Sequence, residues 1–261
     1  MIHPSSIISS KAKIDSSVNI GPFCIIDDNV NLGKDNRLIS NVHITGNTTI
    51  GDKNVFYPFS SIGTAPQDLK FKSEKSYLII GNNNTFRENV TVNPGTKGGG
   101  LKTIIGNNCL FMVGSHVAHD CIIKSNVILA NNATLAGHVE IFENAILGGN
   151  SAVHQFVKIG KFAMIGGMSG VEKNIIPYAL YIGIRADLKG MNIIGLKRKG
   201  IKSNQINKII KSVKLIFDSS KSIELNVKNL SDTFTKIKEI KEIIKFIEIT
   251  NKRGLCRYLN D

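Results

Sequence analysis

Large apolar residues recur at every sixth position of the chain. Counted from Ile8, the series Ile8, Ile14, Ile20, Ile26, Leu32, Leu38, Ile44, Ile50, Phe56 and Ile62 has no polar member. A second series starts at Ile105 and runs through Phe111, Val117, Ile123, Leu129, Leu135, Ile141, Leu147, Val153, Ile159 and Ile165 to Val171. The chain is 42% apolar. At that frequency, a dozen successive hits arise by chance with a probability on the order of 10⁻⁵. Four residues after each member of the second series stands a small or β-branched residue, as at Cys109, Ser115, Cys121, Val127 and Ala133. An α-helix repeats about every 3.6 residues and a strand about every 2. A period of six fits neither, but it fits a coil of three short strands with a tight corner after each. Gly21, Asp27, Gly33, Gly51, Gly106, Gly148 and Gly160 fall at such corners, where left-handed or otherwise tight backbone is needed. The pattern predicts an all-β left-handed parallel β-helix of hexapeptide repeats.

The phase is interrupted in two places. Between Thr64 and Tyr77 the pattern blurs into the polar segment Pro66-Gln67-Asp68-Leu69-Lys70. Ile62 and Ile80 are eighteen residues apart, which predicts that they lie one full coil from each other. Between Val92 and Ile105 the spacing is thirteen rather than twelve, and Pro94-Gly95-Thr96-Lys97-Gly98-Gly99-Gly100 reads as an external loop. Loops that leave a regular scaffold are where function is expected.

After Pro177 the six-residue pattern stops. Ile206, Ile209, Ile210, Val213, Ile216 and Phe217 follow helical spacing, with Ser203 as the expected N-cap. A second helix is predicted from Ser231 to Thr250, with Phe234, Ile237, Ile240, Ile244 and Ile247 on one stripe. Residues 1–187 should therefore form the β-helix and residues 188–261 a small α-helical C-terminal domain, which could cap the open end of the solenoid.

Composition narrows the function. The formal net charge is +13, which favours anionic partners, although a lysine-rich composition alone would produce it. No basic patch interleaved with aromatics is present, so nucleic acid is not an expected partner. No apolar run approaches the roughly 20 residues that span a bilayer. Met1-Ile2-His3-Pro4 lacks the pattern of a signal peptide, so cytoplasmic residence is expected. Cys24, Cys109 and Cys121 sit at interior positions of the repeat, and no C-x-x-C pair exists.

Four of the six histidines, His116, His119, His138 and His154, fall in one stretch. Residues eighteen apart should stack one strand spacing away, about 4.8 Å. His119 then stacks under Gly137 and Gly137 under Gln155, while Asp120 stacks under His138. An outward His119 beside Asp120 is poised as a general base, with the carboxylate orienting the ring. Gly137 could offer an unshielded N–H to a developing oxyanion. Two alternatives remain at this point. The histidines could be scattered surface residues, or His116, His119 and His138 could bind zinc, although their spacing does not match the three-histidine site of the hexapeptide-repeat carbonic anhydrases.

Three segments decide the family. His116-Val117-Ala118-His119-Asp120-Cys121, then Leu129 to Val139 (LANNATLAGHV), then Ala152-Val153-His154-Gln155-Phe156 together resemble the acyl-[acyl-carrier-protein]–UDP-N-acetylglucosamine O-acyltransferases, which open lipid A synthesis. The likeness extends to Ile20-Gly21-Pro22-Phe23-Cys24, Gln67-Asp68-Leu69-Lys70 and Gly195-Leu196-Lys197-Arg198. It implies that His119 deprotonates the sugar 3-hydroxyl, which attacks the thioester of an (R)-3-hydroxyacyl group on acyl carrier protein. Asp120 would support His119, and the Gly137 amide would stabilise the oxyanion. Asp68, Lys70, His116, His138, His154 and Gln155 would line the sugar and acyl sites. Asn192 and Arg198, with Lys199 assisting, would hold the nucleotide and its phosphates. The resemblance implies a homotrimer with sites between subunits, and neither metal nor cofactor. Gly167 would leave room for a long acyl chain. Two positions depart from the family pattern: Ile194 replaces an expected acidic residue, and Arg185 is unusual beside the distal acyl pocket. The sister N-acyltransferase carries an extra N-terminal domain, for which there is no room before Ile8. A non-catalytic scaffold is the remaining rival.

Overall fold

A computed structural model describes residues 1–249 and 253–256. Among the described residues the hexads form three sheets of parallel strands, each taking every third strand of the coil; with two further strands added to one of them beyond Pro177, the sheets have nine, eight and ten strands. Most strands are two residues long, and the inward member of each pair is the apolar residue of the six-residue series. Register follows the eighteen-residue step along most of the length, as in Val117↔Leu135 and Leu135↔Val153.

The first interruption is wider than its spacing suggested. Ile62 and Ile80 lie in different sheets. Ile62 pairs with Val92 and Ile80 with Ile50, each thirty residues apart rather than eighteen. The Thr64–Ser76 excursion thus adds twelve residues, two whole hexads, which is why the phase survives. Ile80 pairs with Ile105, twenty-five residues on, so the second loop adds seven and shifts the phase.

Corner chemistry is divided between two positions. Gly21 and Gly51, expected to supply left-handed backbone, do not have positive φ; a Cβ at Gly21 would fall on the carbonyl of Ile39 in the next coil. The left-handed residue comes two positions later, at Phe23 (φ 57°) and Lys53 (φ 59°). Glycine therefore allows close stacking of coils. The strained residue is most often asparagine, which tolerates αL backbone.

Two interior ladders hold the coils in register. The rings of Phe56, Phe86 and Phe111 stack at 4.9 and 4.7 Å, nearly parallel. The amides of Asn36, Asn54 and Asn84 form a buried column. Asn54 Nδ2 donates to Asn36 Oδ1 at 3.0 Å, and Asn84 Nδ2 donates to Asn54 Oδ1 at 2.9 Å. Each amide also bonds a corner carbonyl, so the buried polar atoms are satisfied.

The β-structure continues past Pro177. Ala179–Ile182 adds a parallel strand beside Met164–Ile165, and Asp187–Met191 returns antiparallel to it, across the expected 187/188 boundary. Among the described residues five α-helices follow: α1 (Ile193–Arg198), α2 (Ser203–Ile216), α3 (Ile223–Lys228), α4 (Asp232–Thr235) and α5 (Lys238–Ile249). Ser203 is the first helical residue rather than the cap, a position held by Lys202. The expected Ser231–Thr250 helix is broken between α4 and α5, where the Ile237 N–H turns back to the Phe234 carbonyl. Thr250 lies outside the described residues. A polar cluster fastens α5 to the last coils. Lys199 Nζ bonds Glu239 at 2.9 Å and Tyr178 Oη at 3.1 Å; Tyr178 donates to Glu242, which also pairs with Lys161 at 2.5 Å. Among the described residues, no helix is long and apolar enough to cross a membrane.

Two stability effects are expected, both read from denaturant midpoints at fixed protein concentration. Phe86→Ala removes the middle ring of the stack and should cost about 3–5 kcal/mol. Lys199→Met leaves the buried Glu239 carboxylate with Gln205 but no cation, and should cost about 2 kcal/mol.

Candidate active site

The corner that follows Val117, Leu135 and Val153 repeats three times with different residues. It reads His119-Asp120, then Gly137-His138, then Gln155-Phe156. The His138 N–H bonds the His119 carbonyl at 3.0 Å and the Phe156 N–H bonds the Gly137 carbonyl at 3.2 Å. These bonds set the predicted column. Asp120, His138 and Phe156 all have left-handed backbone (φ 59°, 63° and 65°), so the three corners share one conformation.

The His119 ring leaves the coil interior, as the repeat required, but it is not open to solvent. His119 is 7% exposed and Asp120 6%. The loop that begins at Asn93 covers the pair. His119 Nδ1 meets Asp120 Oδ2 at 2.8 Å. An ionised carboxylate only accepts, so Nδ1 carries the proton and Nε2 is the free acceptor of the neutral ring. Gly137 has a further role here: a Cβ there would lie 2.5 Å from His119 Cε1, so only glycine leaves room for the imidazole. Among the described residues, the Gly137 N–H donates to no backbone carbonyl.

The carboxylate is held by residues that the motif does not include. The Thr96 N–H donates to Asp120 Oδ1 at 2.9 Å, and Thr96 Oγ1 donates to Oδ2 at 2.6 Å. Thr103 Oγ1 accepts from the Asp120 N–H at 2.8 Å. Gly99 packs against the carboxylate so closely that a Cβ would fall on it. The sequence signal for this cradle is the one-residue phase slip between Val92 and Ile105, which marks a loop without indicating its partner.

The other histidines divide. The His138 ring sits edge-on to His119 at 5.1 Å and stacks on Phe156 at 4.3 Å. Burial pushes His138 below the ordinary histidine value; His119 acts in the same direction, while Asp120 and Asp68 oppose it. The field of Asp68 thus reaches this corner from the first loop. His116 is also lowered, chiefly by burial, and bonds Thr91 Oγ1 at 2.7 Å. The zinc set of His116, His119 and His138 is therefore not assembled. His119, Asp120 and His138 do offer atoms within 4.8 Å of one another, but both Asp120 oxygens already accept from protein donors. His154 and Gln155 are exposed, and the Arg253 guanidinium lies 2.9 Å from His154 Nδ1. Nothing in the local sequence of Arg253 ties it to residue 154.

The remaining expected site residues lie on other elements. Asp68 is half-buried and Lys70 exposed, and the Lys70 N–H closes a turn onto Asp68 Oδ1. Gly167 is exposed at a corner. Arg185 pairs with Glu172 at 3.3 Å on the rim of a ≈ 420 Å³ cleft that also takes in Lys173, Asp187 and Cys256. Asn192 caps α1: its Oδ1 accepts from the Gly195 N–H and its Nδ2 donates to the Phe162 carbonyl, each at 2.9 Å. Arg198 is exposed at the end of α1, and Ile194 is 65% exposed beside it. Lys199, expected to assist at phosphates, is engaged by Tyr178 Oη and by the buried Glu239 carboxylate that α5 presents.

Comparison with known proteins identifies the fold and the family. A family model described as UDP N-acetylglucosamine O-acyltransferase, domain 2, matches residues 174–256, and one for the bacterial transferase hexapeptide matches residues 102–137. An acyl-[acyl-carrier-protein]–UDP-N-acetylglucosamine O-acyltransferase of Thermodesulfovibrio yellowstonii is 48% identical over 98% of this chain and 99% of its own. The corresponding protein of Rickettsia canadensis is 45% identical over 98% and 97%. Among solved structures, the UDP-N-acetylglucosamine O-acyltransferase of Moraxella catarrhalis superposes with a TM-score of 0.94 at 40% identity, covering 98% of this chain and 99% of that one. The Francisella novicida UDP-N-acetylglucosamine acyltransferase gives 0.94 at 35%, covering 100% and 95%. The coil is thus the left-handed parallel β-helix that the hexads predicted, and the chain belongs to the acyl-[acyl-carrier-protein]–UDP-N-acetylglucosamine O-acyltransferase family.

Proposed function

We propose that this enzyme transfers an (R)-3-hydroxyacyl group from acyl carrier protein to the 3-hydroxyl of UDP-N-acetylglucosamine, opening lipid A synthesis. The observation that carries the mechanism is the buried His119–Asp120 pair, with its bare Nε2 and the adjacent Gly137 amide. Nε2 takes the proton of the sugar hydroxyl as its oxygen attacks the thioester carbonyl. Asp120 steadies the imidazolium that results. The carbonyl π electrons move onto oxygen, and the Gly137 N–H donates to that oxyanion. Collapse of the tetrahedral intermediate breaks the C–S bond, and His119 returns its proton to the leaving thiolate. The histidine therefore ends each turnover as it began.

Asp68, Lys70, His116, His138, His154 and Gln155 would line the sugar and acyl sites. Asn192 would present its side chain from the start of α1, and Arg198 would take the phosphates from the end. Lys199, held by Glu239 and Tyr178, would assist them from the position after Arg198. Gly167 and Arg185 would lie toward the distal end of the acyl chain. A homotrimer would place these groups in clefts between subunits. In its support, Phe156, Met168, Ile184 and Ile194 stand exposed on the isolated chain, and apolar residues of that size favour burial against a neighbour. The basic balance of the chain suits an acidic carrier protein.

His119→Ala should lower kcat at least about 10³-fold with UDP-N-acetylglucosamine and 3-hydroxyacyl carrier protein. Equal turnover by both proteins would remove His119 from the chemistry. NMR titration should find His116 and His138 protonating only below the ordinary histidine value, so that both stay neutral above it. A protonated His138 at pH 7 would contradict the site described.

A further inference from the structure

We infer that Thr96 is a positioning residue for the reaction, fixing the Asp120 carboxylate that orients the His119 base. The inference rests on the proposed role of His119.

The carboxylate is wholly buried, and each of its oxygens is assigned. Oδ1 takes the Thr96 N–H, and Oδ2 takes Thr96 Oγ1 together with His119 Nδ1. One residue thus supplies a donor to each oxygen and locks the carboxylate plane against rotation. Gly99 closes the far side of the group. When His119 accepts a proton, the partner that receives the new charge is already aligned, and nothing need reorganise. Preorganised dipoles of this kind are effective in a water-excluded site.

The hydroxyl is not needed to shape the loop. The Gly99 and Leu101 N–H groups bond the Thr96 carbonyl at 3.1 and 2.9 Å, and the Gly95 N–H bonds the Tyr77 carbonyl at 3.2 Å. The Lys97 N–H bonds Glu74 Oε1 at 2.8 Å, which joins this loop to the one carrying Asp68 and Lys70. Backbone contacts and Glu74 therefore hold the loop in place without Thr96 Oγ1. The hydroxyl is directed at Asp120.

The test compares Thr96→Val, which keeps the shape and removes the donor, with Thr96→Ser, which keeps the donor. Steady-state assays with UDP-N-acetylglucosamine and 3-hydroxyacyl carrier protein would be run beside thermal melts. Thr96→Val should lower kcat about tenfold or more while KM stays within about twofold, and Thr96→Ser should keep most of the wild-type kcat. The low-field proton resonance of His119 Nδ1–H should shift in the valine variant and persist in the serine variant. A wild-type kcat for Thr96→Val, an equal fall for serine and valine, or a rise in KM alone would overturn the inference. If Thr96→Val does not fold, Gly99→Ala replaces it: its Cβ would displace the carboxylate, and an unchanged kcat and Nδ1–H resonance would be equally fatal. His119→Ala separates the two readings. An active His119→Ala removes the general base itself, whereas an inactive one beside a fully active Thr96→Val removes only the role of Thr96.

Discussion

Everything in this molecule depends on one coil stacking on the next through short parallel strands. Each strand offers only about two residues to its neighbours, so no single pairing is strong. Stability comes from repetition and from the interior columns that repetition creates, as in other one-dimensional repeat architectures. Phe56, Phe86 and Phe111 meet face to face because each is the inward residue of one sheet in successive coils. The asparagine column forms for the same reason, and each buried amide satisfies the next. The same stacking gives the site its accuracy. His119, Gly137 and Gln155 share a column because the chain returns to the same corner once per coil. A misplacement of about 1 Å can cost a hundredfold in rate, and a stacked backbone suits that tolerance better than a free loop.

The coil was legible in the sequence because its period is strict and its interior is apolar. Eighteen-residue arithmetic alone places His119 beside Gly137, and Asp120 below His138. It failed where the chain left the coil. Ile62 and Ile80 kept the phase but not the sheet, since an excursion of two whole hexads leaves no trace in a count by sixes. The corner glycines were correctly placed but given the wrong reason, because close approach and left-handed backbone fall on different residues of one turn. The helical domain followed its apolar stripes only in part. α1, α3 and the break before α5 arise from caps and packing that an apolar stripe does not encode.

The site shows the same division. The motif residues lie on the coil and could be read. Thr96, Gly99, Thr103 and Arg253 reach the site from loops, from a neighbouring strand or from the far end of the chain, and their contacts depend on tertiary folding. Lys199 is likewise fixed from outside the motif: α5 brings Glu239 against it, and the ion pair, with the bond to Tyr178 Oη, fastens the helical domain to the coil. α1 is thereby tied at both ends, by the Asn192 cap and by Lys199. The groups proposed for the nucleotide therefore share a rigid support with the β-helix.

The two excursions also separate loop length from coil geometry. One adds twelve residues and the other seven, yet both deliver the chain to the same sheet, where Tyr77–Ile80 and Lys102–Ile105 lie side by side. What the scaffold fixes is the point of re-entry, not the distance travelled outside. This one edge can accept segments of different size and composition while the stacked interior stays unaltered. Here the shorter segment folds back over the His119 corner and the longer one brings in Asp68. The solenoid thus works as a rack with interchangeable fittings, in which the loops can be revised without rebuilding the frame that aligns the proposed base.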